Sequence, residues 1–302
     1  MSHEGSRAGK TTVTKAIAIG DRDRLIKFVM FACASLSFFA ILIIILFIFR
    51  KSLPAIKELG IGDLFLSTRW SPKTGHYGML AFTWGTLLTT TFAMLLAAPL
   101  GISTAVFVEQ IAPVRMGKLV RRGIELLAGV PSVVIGWFAL TMLVPLIRGM
   151  TASAGFGIMA ASLVLVVMSL PTITTLSVEA MRAVPPELRE ASVAMGATRW
   201  QTIYKVLLPS AREGLIIAII LGMGRAIGET MAVQMVIGNA RGVAFSPFAR
   251  TSTLTTRIVT DMGEATGVFR SALFAQALML LLLAVFLIAC VRLIGRRRGV
   301  AS

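Results

Sequence analysis

Arg225 and Glu229 stand four residues apart inside a stretch, 214–237, whose other side chains are almost all apolar or small. On one continuous helix the two share a face and can pair. Arg225 then falls about eleven residues, or roughly 16 Å, from the near end of that stretch, close to the midplane of a bilayer core about 30 Å thick. An ionised side chain there costs at least about 2.5–3.5 kcal/mol, so it must face a partner or a water-filled path. A guanidinium offers a planar fork of donors that matches a tetrahedral oxyanion. A carboxylate beside it is useful only if the anion also carries a proton, as hydrogen phosphate does. The expected chemistry is that Glu229 holds Arg225 while the path is empty and then accepts the substrate's O–H. The same two residues also read as a self-neutralising pair that fixes helix packing. Gly222, Gly224 and Gly228 add small surfaces beside them. Thr83 and Thr86, on one face of 78–108 with Thr90, could line a polar path, although membrane threonines more often bond their own backbone. Ser132, next to Pro131, is a further candidate for contact with an anion.

Other chemistry is poorly supplied. Cys33 and Cys290 both lie in apolar runs, and His3 and His76 have no partner at ligand spacing, so neither a disulfide framework nor a metal centre is expected. No Gly-rich phosphate loop occurs, so any ATP must be bound by another chain, and no cofactor is expected on this one. The apolar runs hold no paired carboxylates and no nucleophile with a histidine base, which excludes an intramembrane enzyme on present chemistry. Glu109 and Glu125 fall near a span boundary, where interfacial solvation gives them an ordinary role.

The elements that position Arg225 and Glu229 follow from composition. The chain of 302 residues is 56% hydrophobic with a formal charge of +16, and its mean hydropathy is +0.83. Such basicity usually suggests nucleic acid, but here Lys and Arg punctuate long apolar runs, so the charge is a topology signal and no nucleic-acid partner is expected. Six spans are expected, at 28–49, 78–108, 124–147, 156–177, 214–237 and 271–293, giving an all-α polytopic membrane protein embedded in lipid. With both termini in the cytoplasm, the inner segments carry about twice as many basic residues as the outer ones. The organisation is a polar tail, 1–27; a first span with an outer interfacial segment, 28–77; a five-helix core, 78–293; and a basic tail, 294–302. Two outer segments, 50–76 and 239–269, are long enough to fold back on the membrane surface. Pro99, Pro131 and Pro171 sit where they can kink spans.

The longest inner segment, 182–212, is not a plain linker. Pro185 and Pro186 suit a helix start with Glu187 and Glu190 at its positive end, Gly196 ends or bends that helix, and a second apolar pattern runs from Trp200 to Leu207. Two short helices at a membrane surface can insert into a partner's groove, or rest on lipid. Glu190-Ala191-Ser192, then Gly196, then Val206-Leu207-Leu208-Pro209 resembles the EAA loop of ABC importer permeases, with Ser192 for the third Ala and Val206 for Ile. The stretch 221–239, with support from 128–138, 85–101 and 65–72, is similar to the C-type permeases of Pst phosphate importers. The sister A-type continues the Arg-Ala-x-Gly-Glu-Thr core with Ala-Pro, where this chain has Met231-Ala232. The resemblance implies a type I ABC importer permease fold of the MetI-like kind in a bacterial inner membrane. It implies an A-type permease partner, two copies of a cytoplasmic ATPase carrying ATP and Mg, and an extracytoplasmic phosphate-binding protein. The 182–212 loop would then dock on the ATPase through Glu190, Ala191, Ser192, Gly196, Leu208 and Pro209, while Arg225 and Glu229 line the path. Two alternatives remain open at this point: a permease for another oxyanion, and a secondary transporter with Glu229 as proton relay.

Overall fold

The computed structural model describes residues 5–297, with side chains over 26–293; the remaining ends of the expected tails lie outside the described residues. The chain divides into two compact units, Met1–Lys51 and Ser52–Ser302. The first consists of the early part of α1 (Gly5–Leu59). Its apolar side chains from Ile26 to Phe49 are mostly exposed, as suits a helix surrounded by hydrocarbon.

The second unit begins with the last turns of α1, α2 (Ile61–Phe65) and a hairpin of β1 (Trp70–Ser71) and β2 (His76–Tyr77), paired antiparallel. There follow α3 (Leu80–Val106), α4 (Val114–Gly129), α5 (Ser132–Phe138), α6 (Val144–Met150) and α7 (Ile158–Arg182). Short α8 (Pro186–Ala194), α9 (Arg199–Thr202) and α10 (Leu208–Ser210) lead into α11 (Arg212–Gly228), α12 (Met231–Val236), α13 (Leu254–Met262) and α14 (Gly267–Arg297). Among the described residues five helical runs are long and apolar enough to cross a membrane, and Arg199–Ser210 with Arg212–Gly228, bent by 69°, makes up to a sixth. Pro99 and Pro171 lie inside α3 and α7, which run on through them.

The centre of this unit is α7, packed against α3 and α11. Small residues set the approach: Ala93, Ala97, Ala160 and Ala161 are buried together with Val164 and Leu165. Ile173 on α7 wedges between two glycines, since a Cβ on Gly101 of α3 would come within 2.7 Å of it and one on Gly222 of α11 within 2.4 Å. Gly222→Ala is therefore expected to destabilise the bundle by about 1–3 kcal/mol, the usual range for overpacking. Thermal unfolding in detergent should show the loss, and Ile173→Ala in the same chain should recover part of it.

Two expected spans differ in the structure. The run 124–147 is not one helix: α4 is strongly amphipathic and carries Arg115, Lys118, Arg121 and Arg122, and the chain breaks at Val130–Pro131 before the apolar stretch Ser132–Met150. Pro131 lacks the N–H that a continuing helix needs and holds Val130 extended, at ψ 128°. The run 214–237 is also broken, because α11 ends at Gly228 and Glu229 is extended, at φ −71° and ψ 129°. The segment 239–269 is exposed around Arg241 and Phe245 but turns inward after Arg250. Its residues Thr251, Ser252, Leu254 and Arg257 are buried, and α13 packs on α3 and α14. Trp70, expected at an interface, is likewise buried, edge-on to Tyr77 and Phe82 at centroid distances of 5.6 and 5.3 Å.

Candidate functional site

The break between α11 and α12 replaces the expected Arg225–Glu229 pair with a different arrangement. Arg225 lies in the last turn of α11, where its charge complements the negative end of the helix. Glu229 sits past the break, and its Oε1 accepts the N–H of Ala232, 3.4 Å away in the first turn of α12. Among the described residues the two make no ion pair with each other. The pairing fails because it requires 225–229 to stay helical, whereas Gly224 and Gly228 weaken the helix there and Glu229 serves the new helix start instead. Each charge thus stabilises one half of an interrupted span.

Arg225 is exposed on this subunit and Glu229 is half-buried. Arg225 stands thirteen residues beyond the start of α11 at Arg212, so it is about 20 Å along the helix. A cation at that depth faces protein or water, not hydrocarbon. Its donors have no partner among the described residues and can receive an anion. Interrupted helices of this kind are tolerated in membranes where they are buried in protein or line a cavity.

The break is held from two sides. The carbonyl of Glu229 accepts a hydrogen bond from Thr255 Oγ1 of α13 at 3.3 Å. On the other side α5 packs on α12, with Gly136 so close that a Cβ there would lie 2.7 Å from the Cα of Ala232. Ser132 is half-buried one turn before Gly136, at the start of α5.

Thr83 and Thr86 are placed differently from the expectation of a path lining. Both are buried, and they donate to the carbonyls of Met79 and Phe82 at 3.1 and 2.8 Å. Thr86 Oγ1 also accepts the N–H of Leu254 at 2.9 Å, so its hydroxyl is spent in seating α13. Membrane threonines that bond their own helix in this way leave nothing to offer a permeant.

A further charged pair was not singled out in the sequence. Arg257 and Asp261, one turn apart on α13, form an ion pair with side chains 4% and 9% exposed. Trp70 Nε1 donates to Asp261 Oδ2 at 2.9 Å, and the Arg257 guanidinium lies 5.9 Å from the centre of the Phe82 ring. The i, i+4 spacing was a legible signal; the tryptophan, 191 positions away, was not.

The 182–212 segment folds as two short helices about Gly196, whose φ of +79° belongs to the left-handed region that favours glycine. Glu190 and Ala191 are exposed on α8, and Ser192 Oγ lies 3.0 Å from Thr202 Oγ1. Thr198 and Gln201 form a capping box at the start of α9. Ile203 and Leu207 are buried against Ala105, Val178 and Met181, Leu208 is half-buried, and Pro209 is exposed. The other side presents Met195, 88% exposed, with Trp200 and Tyr204 at 64% and 67%. Large apolar groups left out of a core in this density mark a contact surface.

Residues 97–300 match the family described as binding-protein-dependent transport system inner membrane component, and the chain belongs to that family. It is a multi-pass inner-membrane permease subunit of an ABC importer, a transport component. Membership implies in general a permease partner, an ATPase and a binding protein. The chain is 43% identical to the probable ABC transporter permease protein YqgH of Bacillus subtilis (strain 168), over 91% of each chain. It is 33% identical to the phosphate transport system permease protein PstC of Mesorhizobium japonicum, over 81% of each. Among solved structures, the fold is like that of a bacterial alginate ABC transporter in complex with an alginate pentasaccharide-bound periplasmic protein. There the TM-score is 0.66 at 15% identity, over 92% of this chain and 97% of that one. An inward-facing MetNI methionine ABC transporter gives 0.52 at 25% identity, over 72% and 93%.

Proposed function

We propose that the chain is the C-type permease of an ATP-driven inorganic phosphate importer and forms half of its translocation path. The observation that carries this reading is the unpartnered Arg225 in the last turn of α11, with Glu229 just past the break, in a chain similar to permeases named for phosphate transport. Arg225 supplies two aligned donors to the anion, and Glu229 accepts a hydrogen bond from the O–H of hydrogen phosphate. Ser132, at the start of the helix packed on α12, is the third contact. An A-type permease supplies the opposite wall, an extracytoplasmic phosphate-binding protein delivers substrate, and two ATPase subunits bind ATP and Mg. Both termini are cytoplasmic, which puts 182–212 on the ATPase side. The loop docks there through the exposed Glu190–Gly196 helix end and the Leu208-Pro209 tail, with Met195 and Trp200 as apolar anchors.

Phosphate uptake from depleted medium is expected to be lost in cells without this chain and restored by a wild-type copy. A copy with Met195→Asp and Trp200→Asp should insert normally yet fail to restore uptake, because burying two charges in the docking groove costs several kcal/mol. Retained uptake by that copy contradicts the docking role. Normal phosphate uptake without the chain contradicts the substrate.

A further inference from the structure

The end of α3 is joined to both arms of the docking loop by two consecutive residues. Past Val106 the helix widens into a π-turn, Phe107–Ile111, a single extra residue that turns Glu109 and Gln110 out of the α-helical register. Glu109 Oε2 receives Arg182 Nε at 3.0 Å and Arg121 Nη2 at 3.3 Å. The guanidinium of Arg199 donates to the carbonyl of Gln110. Arg182 ends α7 and Arg199 begins α9, so α8 is suspended between two arginines that are both anchored on this π-turn.

Arg121 carries the connection onward. It lies on α4, which leads through the Val130–Pro131 break into α5, and α5 packs through Gly136 on Ala232, whose N–H is bonded to Glu229. The linkage from docking loop to broken span is therefore continuous in contacts. It is also able to change partners. A cavity of about 170 Å³ adjoins the cluster, lined by Arg121 and Arg182 together with two other carboxylates, Glu125 and Glu179. Thr174 lines the same cavity; it is 3% exposed and its hydroxyl has no partner among the described residues. The arginine side chains are 36% and 53% exposed, so water competes with Glu109 and the pairs are weak enough to exchange.

We propose that Glu109 is a positioning residue for transport: it ties the two arginines of the loop and of α4 in one arrangement, and movement of α8 by the ATPase shifts Arg182 and Arg121 toward Glu125 and Glu179, passing the displacement to the break at Glu229. This rests on the importer reading, and it adds the means by which the loop acts on the path.

The test uses the complete transporter, with partner permease, ATPase and binding protein, in liposomes, reading radiolabelled inorganic phosphate uptake and ATP hydrolysis together. Glu109→Gln is expected to lower phosphate moved per ATP hydrolysed by about fivefold or more, within the usual range of coupling between sites. ATP hydrolysis should persist but lose its dependence on the binding protein, and Glu109→Asp should restore most of the ratio. Arg182→Gln, at a more exposed position, should reproduce the defect. Combined with Glu109→Gln it should add nothing further, because both remove one linkage. An unchanged ratio in the single variants, multiplicative losses in the double variant, or a parallel fall of uptake, hydrolysis and assembled yield would each overturn the proposal. A wild-type complex that moves no phosphate refutes the substrate reading alone, since the dependence of hydrolysis on the binding protein still reports on Glu109.

Discussion

Replacing Arg225 with alanine is expected to lower phosphate uptake by about 100-fold or more at normal levels of membrane-inserted protein. A bidentate arginine contributes two charge-assisted hydrogen bonds, each worth about 1.5–3 kcal/mol, and every 1.4 kcal/mol is tenfold. The fold should survive. Arg225 is exposed on the subunit and has no partner among the described residues, so its removal strands no buried group. Arg225→Lys keeps the charge without the fork and should fall in between. Glu229→Gln should also slow uptake but for another reason: its side-chain oxygen can still accept the Ala232 N–H, so the start of α12 is kept while the negative acceptor is lost. Uptake as fast as wild type in both Arg225→Ala and Glu229→Gln would remove the pair from the path.

The second large effect is on stability. Asp261→Asn leaves Arg257 as an uncompensated charge in a pocket where its residue is 3% exposed and its Nε already lacks a partner. Breaking one side of a buried pair costs about 3–5 kcal/mol, a large share of the 5–15 kcal/mol that holds a typical domain. Trp70, which donates to Asp261, is a built-in fluorescence reporter for thermal unfolding in detergent. Adding Arg257→Leu to Asp261→Asn should recover most of the loss, because the apolar side chain needs no countercharge and the Asn oxygen can still accept the Trp70 N–H. If the single variant unfolds at the wild-type temperature, the pair does not hold α13 in place.

Much of this molecule was readable from its apolar runs, because a bilayer leaves few ways to satisfy a backbone. The span at 156–177 coincides with α7 from its third residue onward, and the helix–Gly–helix pattern of 182–212 is the observed order of α8, Gly196 and α9. What the sequence concealed is where spans are interrupted. Averaging hydropathy over a span-length window dilutes Glu229 and Pro131 among apolar neighbours and so passes over both breaks. The signals were local: a proline at 131, and a glycine at 228 followed by a residue able to cap a new helix. Interruption also changed the chemistry, since Arg225 and Glu229 face each other only on an unbroken helix. Long-range partners were illegible for a different reason. Nothing near Thr86 announces that Leu254 needs its hydroxyl, and nothing near Glu109 announces Arg182.

The most direct measurement is phosphate accumulation in liposomes holding the complete transporter, with binding protein outside and ATP within reach of the ATPase. Uptake against a gradient is predicted only when ATP and the binding protein are both present, and it should vanish with Arg225→Ala while ATP hydrolysis remains measurable. Accumulation by this chain alone without an ATPase, or ATP-driven uptake of another oxyanion with phosphate excluded, would contradict it.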